Sequence, residues 1–167
     1  SYVDDTFGAS LASEMTFYAP YGRDFPTGQA KMLWLWDTLG VPHEEQKQLF
    51  GERLTIIGFE VDPNAMTITM PAQSRRDLLE AMRDFRMGQR LPLRSFQRMA
   101  GWINWSLNVY PLLRPALSTL YAKTAGKRNP HEPMYVNKAI QEEFAWFCAH
   151  VARSDGVCVL SSEEWGP

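Results

Sequence analysis

An α+β fold is predicted: β-hairpins and one helix in the first part of the chain, then a helical bundle and a further C-terminal helix. Three observations predict it. Strand-forming residues flank short turns near the start and again over residues 54–70. Apolar residues recur at helical spacing in separate later segments, and Gly and Pro punctuate the joints between them. At 167 residues and 45% hydrophobic composition, the chain is long enough for a packed core in one domain or two small ones.

The opening "SYVDDTFG" sets Tyr2 and Val3 before two adjacent carboxylates, Asp4 and Asp5, so a strand is expected with a hairpin tip at the acids and a return arm from Phe7 to about Leu11. In "TGQAKMLWLWDTLG", Met32, Leu35, Trp36 and Leu39 share one helical face, with Thr27 as N-cap, Gly40 as stop and Pro42 barring continuation. In "RLTIIGFEVDPNAMTITMP", apolar strand-formers on both sides of an Asp62–Ala65 turn predict a second hairpin, with Gly58 as a bulge or a point of close backbone approach.

A helix is expected from Ser74 to Gly88, with Leu78, Leu79, Met82 and Phe85 as its stripe and the stems of Arg75 and Arg86 along apolar surface. A second, "LRSFQRMAGWINWSLNVY", aligns Phe96, Ala100, Ile103 and Leu107, with Met99 adjoining and Trp102 in the core. After Pro111, "LLRPALSTLYAKTAGK" predicts a third, ending at Gly126. The last helix carries Ile140, Phe144, Phe147 and Val151, capped by Asn137, and a short strand follows in "SDGVCVL".

Charge is unevenly distributed. Residues 1–71 hold 4 basic and 10 acidic groups, residues 72–128 hold 11 and 3, and residues 129–167 hold 2 and 6. A net +8 block between two acidic ones is the footprint of a polyanion-binding surface or of a solvated arginine-rich face. No run of about 18 apolar residues predicts a membrane span. Two cysteines, Cys148 and Cys158, with no secretory leader, predict a reduced intracellular chain, cytoplasmic or nuclear. An opening in mid-strand predicts a piece of a longer polypeptide.

Two residue groups suggest chemistry. Two carboxylates on a hairpin tip supply the hard oxygen ligands that a pair of Mg2+ ions takes in phosphoryl transfer, although an Asp-Asp pair also suits an ordinary turn. On the helix beginning near Leu93, Arg94, Arg98, Gly101 and Trp105 run down one side, Gln97, Asn104 and Asn108 line the next, and Arg90 sits just before. Guanidiniums pair with phosphates and amides with sugars or minor-groove edges, without reading sequence.

The order of aspartate-pair hairpin, amphipathic helix, lysine-bearing turn, glycine-containing hairpin and basic bundle resembles the C-terminal palm and thumb of retroelement reverse transcriptases, fungal tyrosine-recombinase-type and related retrotransposons among them. "YVDD" looks like that family's metal-binding box, "LGVPHEEQKQLFGERLTIIGFEVD" like its next two palm motifs, and "LRSFQRMAGWINWSLNVYPLLRPALSTLY" like its thumb.

The resemblance implies palm over 1–71, thumb over 72–128 and a connection over 129–167 that leads toward a ribonuclease H domain, with fingers and the first half of the palm upstream. It implies Asp4 and Asp5 as catalytic Mg2+ ligands, Tyr2 and Lys47 facing the incoming deoxynucleoside triphosphate and primer end, and Ile57, Gly58 and Phe59 gripping the primer backbone. Arg90, Arg94, Gln97, Arg98, Asn104 and Trp105 would then hold an RNA or DNA template paired with its DNA primer. Such a fragment is expected to be inactive alone. The competing expectation is a relic or co-opted helical interaction module without catalysis.

Overall fold

A computed structural model describes residues 6–160 and gives an α+β chain with small antiparallel sheets. The expected arm over residues 7–11 is absent: this stretch carries no strand, and Phe7 and Leu11 are exposed. Strands form further on. β1 (Met15–Tyr18) and β2 (Arg23–Pro26) make an antiparallel hairpin closed by Gly22 in the left-handed region, φ 64°.

Helix α1 (Thr27–Leu39) follows, closed by Gly40 at φ 69°, and the N–H of Val41 returns to the carbonyl of Trp36 at 2.8 Å. Thr27 is not its cap. The Thr27 hydroxyl bonds Thr16 Oγ1 at 2.8 Å and its N–H reaches the Glu14 carbonyl, which ties the helix start to β1 instead. The buried face also differs from the expected one. Ala30 and Leu33 pack with Tyr18 and Phe25 in a small core flanked by Tyr21 and Trp36, while Leu35 and Leu39 stand 50% and 66% exposed.

A larger body begins at β3 (Leu54–Ile56). It pairs with β4 (Phe59–Asp62), which pairs with β5 (Thr67–Thr69) through a turn fixed by the Ala65 N–H donating to Asp62 Oδ1 at 2.9 Å. Gly58 is therefore not a bulge inside one long arm. It sits in the two-residue turn between β3 and β4, which halves the expected strand. Helix α2 (Ala72–Arg83) stops before Gly88, because the chain turns to bury Phe85. Next come β6 (Arg90–Pro92), α3 (Leu93–Ser106), a 3-10 segment (Pro111–Leu117) and α4 (Ser118–Thr124). The single third helix expected after Pro111 is split at this point. Pro115, which lacks an N–H, lies in the 3-10 part.

β7 (Pro133–Tyr135) pairs with β6, α5 (Lys138–Arg153) is capped by Asn137 Oδ1 at 3.1 Å from Ile140 N, and β8 (Val157–Val159) adds to β5. The stripes predicted on α3 and α5 are the buried ones, and Trp102 is half-buried against the core. One hydrophobic cluster joins Phe59 and Met70 to Phe96, Ile103, Ile140 and Phe147, so it runs across both expected boundaries, at 71/72 and 128/129. No described helix is long and apolar enough to cross a membrane. Cys148 and Cys158 are not joined.

Candidate nucleic-acid interface

The loop between β3 and β4 consists of Ile57 at φ 51° and Gly58 at φ 82°. Two positive φ angles in a two-residue loop are what a type I′ hairpin requires, and glycine meets that requirement freely. A β-branched residue does not. Ile57 sits about 1–2 kcal/mol above a relaxed backbone, strain that persists only where the surroundings impose it.

Trp105 on α3 imposes it. Its indole Nε1 donates to the Ile57 carbonyl at 2.8 Å, and its ring stacks on Phe59 with centroids 4.4 Å apart and planes 25° from parallel. A Cβ on Gly58 would lie 3.2 Å from Trp105 Cζ2. The glycine's open side is thus taken up by the indole rather than left for a phosphate. Ile57, 40% exposed, is presented at the tip. The expected primer-gripping strip Ile57, Gly58 and Phe59 and the separately expected Trp105 thus form one contact across 48 positions.

From that contact α3 displays a single outward stripe. Arg94, Gln97, Arg98, Gly101 and Asn104 are all exposed, Asn108 continues the stripe in the turn just past the helix end, and Trp105 is half-buried between them and the hairpin tip. At 1.5 Å per residue the helical part of this stripe, from Arg94 to Trp105, is about 16 Å long. Among the described residues, no ion pair involves Arg90, Arg94 or Arg98, and of the eleven cations in 72–128 only Lys127 meets a carboxylate, that of Glu132. Gly101 lies mid-helix with nothing within 4 Å of where its Cβ would be. An exposed helical glycine costs about 0.5–1 kcal/mol relative to alanine, and no neighbour among the described residues accounts for it.

Lys47 stands apart from this surface. It lies in a short 3-10 turn, paired with Glu44 at 3.0 Å. The turn belongs to the hairpin–helix unit, through Gln48 to Gln29 at 3.3 Å and Phe50 against Phe25. Asp4, Asp5 and Tyr2 lie outside the described residues. Among the described residues, no three His, Cys, Asp or Glu side chains gather as a metal site.

One cluster was not visible in the sequence. The Tyr18 hydroxyl donates to Asp37 Oδ2 at 2.5 Å, Asp37 Oδ1 bonds His43 Nε2 at 3.0 Å, and His43 Nδ1 shares a 2.5 Å hydrogen bond with the Tyr21 hydroxyl. Burial, then the bond to Asp37, pushes Tyr18 up to about 12, and the Tyr18 and His43 bonds hold the Asp37 carboxyl below its usual range. All four groups are spent on one another, as a clasp that fastens the 41–50 loop to the hairpin. Nothing short of the tertiary structure joins residues 18, 21, 37 and 43.

No protein-family model and no curated protein matches the chain.

Proposed function

We propose that this chain is a segment of an RNA-directed DNA polymerase of the retroelement reverse transcriptase type, contributing metal-binding carboxylates and the surface that grips primer and template. The observation that carries this reading is the strained Ile57–Gly58 tip fastened by Trp105 to a helix face of unpaired arginines, amides and a bare glycine. Strained backbone beside unpaired cations is the expected dress of a ligand-holding site. The stripe mixes phosphate partners, Arg94 and Arg98, with amides, Gln97, Asn104 and Asn108, which suits a duplex held without sequence readout.

Asp4 and Asp5 would hold Mg2+, whose oxygen-ligand preference their carboxylates meet. Bound there, the metal supplies charge neutralisation at the attacking and leaving oxygens of an in-line displacement. Tyr2 and Lys47 would face the deoxynucleoside triphosphate, and Lys47 must first leave Glu44. Exchange of an exposed ion pair of this kind costs little, since such pairs contribute about 0–1 kcal/mol.

The test is binding of a labelled RNA/DNA primer-template duplex across a salt series. Affinity should fall steeply with salt, and Arg94→Ala with Arg98→Ala should weaken binding and flatten the salt slope by about 2. Unchanged binding would instead favour a protein-interaction module without catalysis. That second reading draws on exposed Phe17, Trp34, Leu35, Leu39 and Leu49 on the hairpin–helix unit.

A further inference from the structure

Helix α3 has no side-chain cap at its start. Its first N–H groups are satisfied by a distant turn instead: Leu93 N–H donates to the Glu132 carbonyl at 2.8 Å and Arg94 N–H to that of Pro130 at 3.0 Å. The turn over residues 126–132 is thereby held against the beginning of the arginine stripe, and β6 and β7 continue it as a two-stranded ribbon.

The two faces of this ribbon differ. Leu91 and Met134, directly opposite one another, turn to the core. Arg90 and Tyr135 are also directly opposite, so their side chains share the other face, and both are exposed, Tyr135 by 58%. More than half of Tyr135 is therefore open to solvent beside Arg90 and outside the core. Arg128, in the adjoining turn, is exposed as well, and the one acid of that turn, Glu132, is engaged by Lys127. Pro92 and Pro133 face each other across the ribbon and Pro130 lies in the turn, so the backbone is stiff and loses little entropy on binding.

We infer that the β6–β7 ribbon, through Arg128 and Tyr135 beside Arg90, is a second phosphate-backbone contact that lengthens the duplex footprint beyond α3. This rests on the polymerase reading, which it deepens: the ligand is the same duplex, held further along. A guanidinium and a phenol hydroxyl are both phosphate donors, and neither selects sequence.

The experiment compares three forms of the 167-residue chain: unaltered, Arg94→Ala/Arg98→Ala, and Arg128→Ala/Tyr135→Ala. Binding to RNA/DNA duplexes of about 8 and about 20 base pairs is measured across a salt series, with circular dichroism confirming that each form is folded. The ribbon variant should bind the short duplex like the unaltered chain. It should lose about tenfold on the long one, with the salt slope there reduced by about 1. Arg128→Glu should deepen that loss. If the α3 variant weakens binding while the ribbon variant matches the unaltered chain on both lengths, the ribbon inference is overturned and the polymerase reading stands. Salt-insensitive or absent binding by the unaltered chain overturns both.

Discussion

The hairpin–helix unit, β1 to the 41–50 loop, and the body from β3 to β8 solve the problem of folding differently. The body buries long apolar stripes from α2, α3 and α5 against a sheet and leaves most of its cations facing water. The unit buries four residues fully, Tyr18, Phe25, Ala30 and Leu33, and compensates with a polar clasp while large apolar side chains stay outside. The body therefore rests on burial, which scales with area, and the unit on hydrogen bonds, which depend on protonation. The body also presents charge to solvent, whereas the unit presents hydrocarbon.

The largest expected effect tests the body. Phe147 is fully buried among residues of the main cluster, and Phe147→Ala should cost about 3–5 kcal/mol. Denaturant melts followed by far-UV circular dichroism should register that loss. The environments of Tyr18 and Tyr21, followed by near-UV signals, should change far less, because the two clusters are separate. Equal loss of both signals would mean that the regions unfold as one.

A smaller effect falls on the strained tip. Gly58→Ala forces a Cβ onto a backbone at φ 82° and to within 3.2 Å of the Trp105 ring, for a cost of about 1–3 kcal/mol. Trp105→Phe keeps an aromatic against Phe59 but removes the donor to the Ile57 carbonyl, worth about 0.5–1.5 kcal/mol. Both variants should also weaken duplex binding, since each releases the tip from α3. Weaker binding without loss of stability would mean that the tip is held by something other than this indole.

The clasp makes the unit respond to pH through Asp37 and Tyr18, whereas the carboxyl held low in the body is that of Asp62, at the β4–β5 turn. Asp37 is depressed in the folded state, so its contribution is present above the ordinary carboxyl range and is lost as pH falls through the folded value. Tyr18 is raised to about 12, so the folded unit favours the neutral phenol; that stabilisation is complete below about 10 and fades as pH rises from there. Tyrosinate absorbance should show Tyr18 and Tyr21 ionising above the ordinary phenol range, since burial and the nearby Asp37 carboxylate raise both, and Asp37→Asn should reduce the acid sensitivity of their near-UV signals.

The same contrast explains what could be read from the sequence. The buried stripes of α3 and α5 follow a clean helical period, so Phe96, Ile103, Phe144 and Phe147 were legible. Helix α1 runs Met-Leu-Trp-Leu-Trp, apolar all round, and periodicity alone picked the wrong face. The β1–β2 hairpin hid in a turn-rich stretch whose strand signal is only four residues long on each side. The exposed residues of the candidate interface were legible as a list. What united them, an indole bonded to a carbonyl 48 positions away, depends on how the hairpin packs on α3 and leaves no local trace.

The smallest change gives the sharpest contrast between folding and binding. Gly101 has open space on every side a Cβ would meet, and its backbone is ordinary helix, so Gly101→Ala should raise stability by about 0.5–1 kcal/mol. If the stripe holds a duplex, the same methyl group stands where sugar or backbone would approach the helix, and affinity should fall severalfold while the melting temperature rises. A gain in stability with unchanged affinity would remove Gly101 from the contact surface. A loss of stability would mean that its openness reflects the needs of the fold, because no ligand is required to explain a glycine that alanine destabilises.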